Sequence, residues 1–186
     1  MSRGSHILLL ALVFWAGCAD KEAPTERSAR TELSAPESAL TEELMLSLGQ
    51  ARNYHHKADV LESEGKIDQA VVAVASVLDI PFPEGASESE DVILDTRARL
   101  AKLKVRQGKL DEAMALVDEG IAISTRQSFF LANLHTVRGE IFEAKAALET
   151  DQEKLREAKR EAIEAFDASI QINKALLKTL RSGDQQ

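Results

Sequence analysis

Aromatic side chains and cysteine are scarce in this chain, and each shortage restricts what the chain can be. Aromatic residues make up 4% of the 186 positions, so alanine, leucine and valine must supply most of the packing. Small side chains suit helices that approach each other closely. The only cysteine in the sequence is Cys18, so an intrachain disulfide is excluded and the presence of this residue needs another explanation.

Positive charge is also in short supply. The sequence has 23 lysine and arginine residues against 31 aspartate and glutamate residues, which gives a formal net charge of −8. Because nucleic-acid-binding domains normally present a basic surface, we expect no nucleic-acid partner. The sequence also lacks P-loop, GxGxxG, GxSxG and HExxH motifs, so we expect no enzymatic activity and no bound cofactor.

The two adjacent histidines do not make a good metal pair. Neighbouring residues of a helix point in different directions, so His55 and His56 cannot both face one ion. No cysteine or third histidine lies at ligand spacing from them. We therefore expect no metal site and interpret both histidines as surface residues.

Residues 1–18 have the pattern of an export signal. Arg3 supplies a positive charge, and nine apolar residues follow from Ile7 to Trp15. A membrane-spanning helix needs about 20 apolar residues, so this run is too short to be one. A short apolar run after a positive residue and before small residues is typical of a cleaved signal peptide.

The end of this segment, Trp15-Ala16-Gly17-Cys18, resembles the lipobox of bacterial lipoprotein signal peptides. The last three positions match, and Trp15 stands where that family usually has an aliphatic residue. The resemblance implies that residues 1–17 are removed and that Cys18 carries a covalent lipid, the only cofactor we expect. Several acyl chains would anchor the protein to the cell envelope. We favour the outer membrane, with the protein facing the periplasm or the cell surface.

The alternative is a plain secretory signal, cleaved nearby, that leaves Cys18 as a free thiol or removes it. Residues 18–36 are polar, carry both signs of charge and include two prolines. Such a segment cannot bury enough apolar surface to become ordered, so we expect a flexible tether. The rest divides into a helical domain over residues 37–181 and a disordered tail over residues 182–186.

Beyond the tether, apolar residues recur every three or four positions, which is the period of an amphipathic helix. No stretch alternates with a period of two, so we predict an all-α fold without a sheet. The six predicted helices run from near Pro36 or Thr41 to Gly65, and over about 67–80, 89–107, 110–123, 126–148 and 150–180.

Two glycine joints divide the helices into pairs. Ala58 and Ala70 lie twelve residues apart around Gly65, and Ala101 and Ala113 lie twelve apart around Gly108. Two antiparallel helices approach closely only where both present small residues. We therefore predict a helix–turn–helix hairpin at each joint. An irregular six-helix bundle with two coincidental joints is the alternative.

This spacing over residues 50–173 resembles the tetratricopeptide repeat. The resemblance implies an α-solenoid of about three stacked antiparallel hairpins. Gly139 and Ala162 lie 23 residues apart, which exceeds twelve by eleven, or three helical turns, so the last hairpin is elongated. The glycines are 43 apart instead of following the family's 34-residue period, because the loop at Pro81-Phe82-Pro83 adds length.

Proteins of this family bind ligands on a concave face lined by the first helix of each hairpin. The resemblance implies a mixed-charge groove for an extended peptide or a partner's helix, and a merely solvated face is the alternative. The matching positions are Arg52, His55, Asp59, Glu62, Asp95, Lys102, Arg106, Asn133, Thr136 and Glu140.

The function that follows is a lipid-anchored scaffold that binds another protein of the cell envelope. The alternative is a carrier of a small molecule or lipid, which a deep apolar cavity under Phe82, Phe129 and Phe130 would favour. A basic run from Arg97 to Lys109 holds six cations, and we expect the acidic loop at 84–95 to neutralise it in part. The sequence leaves the oligomeric state open.

The lipid anchor is testable by metabolic labelling with a radioactive fatty acid. We expect the label to enter the wild-type protein and to be lost in Cys18→Ser, because the thiol is the acceptor. A tether substitution such as Ser34→Ala should keep the label. Label that persists in Cys18→Ser would contradict the anchor.

Overall fold

The computed structural model describes residues 41–183, and these residues form α-helices and no strand. The predicted all-α class and the approximate positions of all six helices are confirmed. The helices are α1 (Glu42–Ser63), α2 (Ile67–Ala75), α3 (Ser87–Arg106), α4 (Leu110–Ile123), α5 (Phe129–Leu148) and α6 (Gln152–Gly183).

Several helix ends differ from the prediction. The α2 helix stops at Ala75, because the backbone from Ser76 onward tightens into turns in which Val77 and Leu78 each donate to the carbonyl three residues earlier. The α5 helix begins at Phe129, since the Ser128 hydroxyl accepts a hydrogen bond from the Leu131 amide and caps the helix there. The predicted bounds for these helices were Ile80 and residue 126.

The last helix is longer than predicted. It continues to Gly183, so the residues at 182 and 183, which we assigned to a tail, belong to α6. The first helix starts as predicted, because the Thr41 hydroxyl accepts from the Leu44 amide and two acidic residues occupy the first turn. The predicted signal peptide, Cys18 and tether lie outside the described residues.

Both glycine joints have the same backbone geometry. Gly65 and Gly108 adopt φ values of 73° and 74°, a left-handed conformation that glycine reaches without a Cβ clash. The amide after each glycine donates to the carbonyl five residues earlier, Lys66 to Leu61 and Lys109 to Lys104. This is the Schellman motif, which ends one helix and turns the chain toward the next.

The third joint has three residues like the other two but no glycine. The Asp151 carboxylate accepts hydrogen bonds from the amides of Glu153 and Lys154 at 2.8 and 3.1 Å. The Glu149 carboxylate accepts from the amides of the next two residues. Side-chain oxygens therefore satisfy free amides at the start of α6, and Asp151 is the cap of this helix.

The small residues lie at the helix contacts. Ala58, Ala70, Ala101 and Ala113 are each 0% exposed. A Cβ atom on Gly139 would lie 2.6 Å from the ring of Phe166, so α5 and α6 pack at this distance only because the position is glycine. The twelve-residue spacing thus identified buried contact points.

Helix α3 occupies the middle of the packing. Each helix contacts the next one along the chain, and α3 contacts α1 and α5 in addition. Leu94, Leu103 and Val117 are among the fully buried side chains around it. No helix in the described part of the chain is long and apolar enough to cross a membrane.

The contact of α3 with α4 predicts the effect of one enlargement. Ala113→Leu places three further carbon atoms where no space is left, so we expect a loss of about 1–3 kcal/mol in the free energy of unfolding. Ala115→Leu is the matched control, because Ala115 is exposed on the same helix and should change stability by less than about 0.5 kcal/mol. Chemical denaturation of both variants measures the difference. Equal stabilities would contradict a tight contact at Ala113.

Candidate interaction face on α1, α3 and α5

Polar side chains on three helices meet on one side of the fold, here called the α1–α3–α5 face. On α1 the relevant positions recur at spacings of three and four residues, and so do those on α3, so each set lies on one side of its helix. The α1 set is Arg52, His55, Asp59 and Glu62, and the α3 set is Asp95, Arg99, Lys102 and Arg106.

Arg99 joins α3 to α1. One terminal nitrogen, Nη2, donates to Asp59 Oδ1 at 2.6 Å and to Glu62 Oε1 at 2.7 Å. The other, Nη1, donates to the His55 backbone carbonyl and to His55 Nδ1, both at 3.2 Å. A planar guanidinium with donors on two sides can make all of these contacts at once, which a lysine ammonium cannot.

His55 is half-buried between the two helices, so our interpretation of it as a surface residue was wrong, and its contacts indicate its tautomer. Its Nδ1 must accept, because arginine only donates, so the proton of the neutral ring lies on Nε2. That Nε2 lies 3.3 Å from Thr96 Oγ1, whose hydroxyl donates to the Val92 carbonyl at 2.7 Å. Burial lowers the pKa of His55, and the Arg99 charge lowers it further.

Two further ion pairs extend the face in both directions from Arg99. Arg106 Nη1 lies 2.5 Å from Glu62 Oε2, and Lys102 Nζ lies 3.3 Å from Glu140 Oε1 on α5. Lys102 and Glu140 are each more than 40% exposed, whereas the side chains of Arg99 and Glu62 are 23% and 24% exposed. Exposed pairs contribute little to stability. The sheltered cluster of Arg99, Glu62 and His55, here called the Arg99 cluster, is therefore the part that fixes how α1 and α3 lie against each other.

Two concavities open between these helices. The first, of about 400 Å³, is lined by Asp59, Glu62, Arg99, Lys102, Leu103 and Arg106. The second, of about 360 Å³, includes Arg52, His55, Asp95 and Phe130 in its lining. Asp59 and Arg99 line both, so the two concavities adjoin along the face.

Seven of the ten predicted groove residues therefore line these concavities. Glu140 joins them through its contact with Lys102. Thr136 lies elsewhere, because its hydroxyl is 2.9 Å from Ser169 Oγ in the contact between α5 and α6. Asn133 is half-buried on α5 and lines neither concavity.

Arg99 is the central residue that sequence reasoning missed as a site. The positions carried over from the repeat family do not include Arg99, although it lies three residues before Lys102 and seven before Arg106. That spacing puts all three on one side of the helix. A helical projection of the basic run would have identified Arg99.

The acidic loop does not neutralise the basic run, and that expectation was wrong. Two of its carboxylates lie near the start of α5, where Glu90 accepts from the Thr125 amide and Asp91 pairs with Arg126 at 2.5 Å, whereas Asp95 lines the second concavity. The six cations instead reach the neighbouring helices. Their partners are Glu119 for Arg97, Asp59 and Glu62 for Arg99, Glu140 for Lys102, Glu112 for Lys104 and Lys109, and Glu62 for Arg106.

The three phenylalanines that we named as a sign of a carrier do not lie together, and the two adjacent histidines differ in exposure. Phe129 is exposed and meets Phe130 edge to face, whereas Phe82 packs against a different cluster of buried side chains. His56 is exposed, and its Nε2 lies 3.2 Å from Arg52 Nε. No three histidine, cysteine or acidic side chains in residues 41–183 are grouped so as to hold a metal ion.

No model of a known protein family matches this chain, and comparisons with curated proteins and with solved structures found no match.

The buried histidine predicts a pH dependence of stability. The folded-state pKa of His55 lies below the ordinary value of about 6.5, so the unfolded chain binds the proton more readily. The stability that depends on neutral His55 is present above a pH of about 6.5 and is lost as the pH falls through the folded-state pKa. Lowering the pH from about 7.5 to about 5.5 should therefore reduce the free energy of unfolding, by at most about 1.4 kcal/mol per pH unit for this proton.

Denaturation at both pH values checks this prediction. His55→Gln should make the loss smaller, and His56→Gln, an exposed neighbour, should leave it unchanged. His135, whose pKa is also lowered by burial and next by Arg138, accounts for a remaining loss in both variants. An equal loss in wild type and His55→Gln would contradict the assignment.

Proposed function

We propose that this chain is a lipid-anchored, non-enzymatic scaffold that binds another protein of the cell envelope on its α1–α3–α5 face. The observation that carries the proposal is the convergence of charged side chains from separate hairpins around two adjoining concavities. A surface of this kind recognises a partner by shape and charge.

We infer a tetratricopeptide-like stacking of hairpins, which would support this function. The two Schellman joints are alike, and the small residues expected at the hairpin contacts are buried. Helices α1, α3 and α5 follow one another, because α3 contacts both of the others, whereas α2 and α4 do not contact each other. The first helices of three successive hairpins would thus form one continuous inner surface, as in helical-repeat scaffolds.

The chemistry of the face suits a partner segment with charges of both signs. The exposed residues around Arg99 are Arg52, Asp59, Lys102 and Arg106, and the Glu140 side chain is 41% exposed. The side chains of Lys102 and Arg106 are exposed and each make one ion pair, and Glu62 keeps its contact with Arg99. A partner's carboxylate can therefore replace the present one without leaving a buried charge unpaired. We infer an extended peptide or a partner's helix as the occupant. Cys18 would hold this face near a membrane.

Charge reversal tests the face. We expect Lys102→Glu/Arg106→Glu to abolish capture of the partner, because two attractive contacts become repulsive. The measurement is affinity capture of the lipidated protein from crosslinked envelopes, followed by mass spectrometry. The matched control is Lys154→Glu/Arg156→Glu, which reverses two exposed cations on α6.

A further variant separates recognition from stability. Lys102→Glu/Glu140→Lys restores the ion pair between α3 and α5 with its charges exchanged, so thermal unfolding should resemble that of wild type. Binding should still be impaired, because the groove now presents the opposite sign at residue 102. Full capture by this variant and by Lys102→Glu/Arg106→Glu would contradict the proposed face.

A further inference from the structure

The outer side of α6 carries an apolar stripe without a partner in the described structure. Ile163, Ile170 and Leu177 are seven residues apart and are 61%, 46% and 52% exposed, and Leu180 is 66% exposed. Helix α6 contacts α5 and no other described helix. A sustained seven-residue spacing of exposed apolar side chains is the pattern of a helix that pairs with another helix.

The stripe continues into a concavity between α5 and α6. This concavity, of about 540 Å³, is lined by six apolar residues that include Ile163 and Phe166, and by Glu143 and Lys159. Phe166 rests against Gly139, where a Cβ atom would collide with its ring. The stripe therefore borders a preformed recess that large apolar side chains can enter.

We propose that α6 pairs with α6 of a second copy of this chain, in antiparallel orientation, to form a two-fold symmetric dimer. When the two-fold axis passes between Gln171 and Ile172, the facing side chains form three layers, and Asn173 is the only polar residue in them. Ile163 meets Leu180 of the partner subunit, Phe166 meets Leu177 of the partner subunit, and Ile170 meets Asn173 of the partner subunit, each with its symmetric counterpart. Leu177 and Leu180 of one copy thus fill the recess of the other.

Charge complementarity chooses the second copy and its direction. Asp167 and Lys174 are exposed and directly follow Phe166 and Asn173, two residues of the facing layers. In this register Asp167 of each copy lies beside Lys174 of the other. Neither forms an ion pair within the described residues, whereas the cations of α3 all do. In a parallel pair, Asp167 and Lys174 of one copy would lie across the interface from their equivalents in the other copy, and they would form no ion pairs with them.

The charges over residues 161–183 of α6 agree with the antiparallel direction. Three acids occupy residues 161–167, and the only charged side chains over residues 168–183 are three cations, Lys174, Lys178 and Arg181. Each acidic segment lies beside the basic segment of the other copy only when the two run antiparallel. Arg160 lies seven residues before Asp167, and it already contacts Glu157, Glu161 and Glu164 within its own helix.

Asn173 adds a reason for a single register. It is half-buried beside the stripe, and the two Asn173 side chains would lie next to each other at the symmetry axis. A polar residue in an apolar helix pair fixes register and orientation, because a shifted register leaves its amide without a hydrogen-bonding partner. These residues lie outside the α1–α3–α5 face, so the dimer does not rest on the proposed function.

Charge exchange between copies tests the proposal. In full-length protein, Asp167→Lys and Lys174→Asp should each weaken self-association roughly tenfold, because both symmetric pairs turn from attractive to repulsive. An equimolar mixture of the two variants should recover the wild-type dissociation constant, since every pair in the mixed dimer is again attractive. Sedimentation equilibrium measures all three. A wild-type chain that stays monomeric, or a mixture no better than either variant, would overturn the proposal.

Disulfide trapping tests the direction independently. In a Cys18→Ser background the engineered thiols are the only cysteines. Ile163→Cys/Leu180→Cys should form a crosslinked dimer on oxidation, because these positions face each other between copies but lie roughly 25 Å apart within one helix. Ile163→Cys alone should give no crosslink. A crosslink from the single variant as well as from the double would show a parallel pair and overturn the antiparallel dimer.

Discussion

Close contact between helices at alanine and glycine positions is the constraint on which the rest of the structure depends. With few aromatic residues, the chain cannot fill wide gaps between helices, so its helices must approach closely to exclude water. Ala58, Ala70, Ala101 and Ala113 permit this, and the left-handed glycines reverse the chain within three residues. The same closeness brings long charged side chains of α3 within reach of carboxylates on α1, α4 and α5, and so creates the ion-paired face.

The charges on α3 divide according to their shelter from water. Arg99 and Glu62 are partly buried and hold α1 against α3, with His55 completing the hydrogen bonding of the cluster. Lys102 and Arg106 are exposed at the rim, where an ion pair contributes little to stability and exchanges its partner easily. A rigid centre with exchangeable charges around it is suited to recognising another protein, since the geometry is preorganised and the rim remains available.

The sequence was informative where local chemistry decides structure. The apolar periods and the glycine joints predicted six helices and the buried alanines beside two of the joints, because a helical period and a left-handed turn involve only neighbouring residues. Arg99 as a centre and the pairing of Asp91 with Arg126 were not predicted, since both depend on which helices lie side by side. The end of α2 was missed for a related reason: the residues from Ser76 to Ile80 have an apolar pattern that suits a helix, yet they adopt tighter turns before Pro81.

The central claim is that the α1–α3–α5 face binds a protein partner. Site-specific photo-crosslinking in living cells tests it most directly, with a photoreactive amino acid placed at Arg52 or Lys102 on the face, or at Val72 or Ala122 on the exposed sides of α2 and α4. The account predicts that the two positions on the face crosslink to the same protein and that the two outer positions do not. Crosslinks to that protein from the outer positions, with none from Arg52 and Lys102, would contradict it.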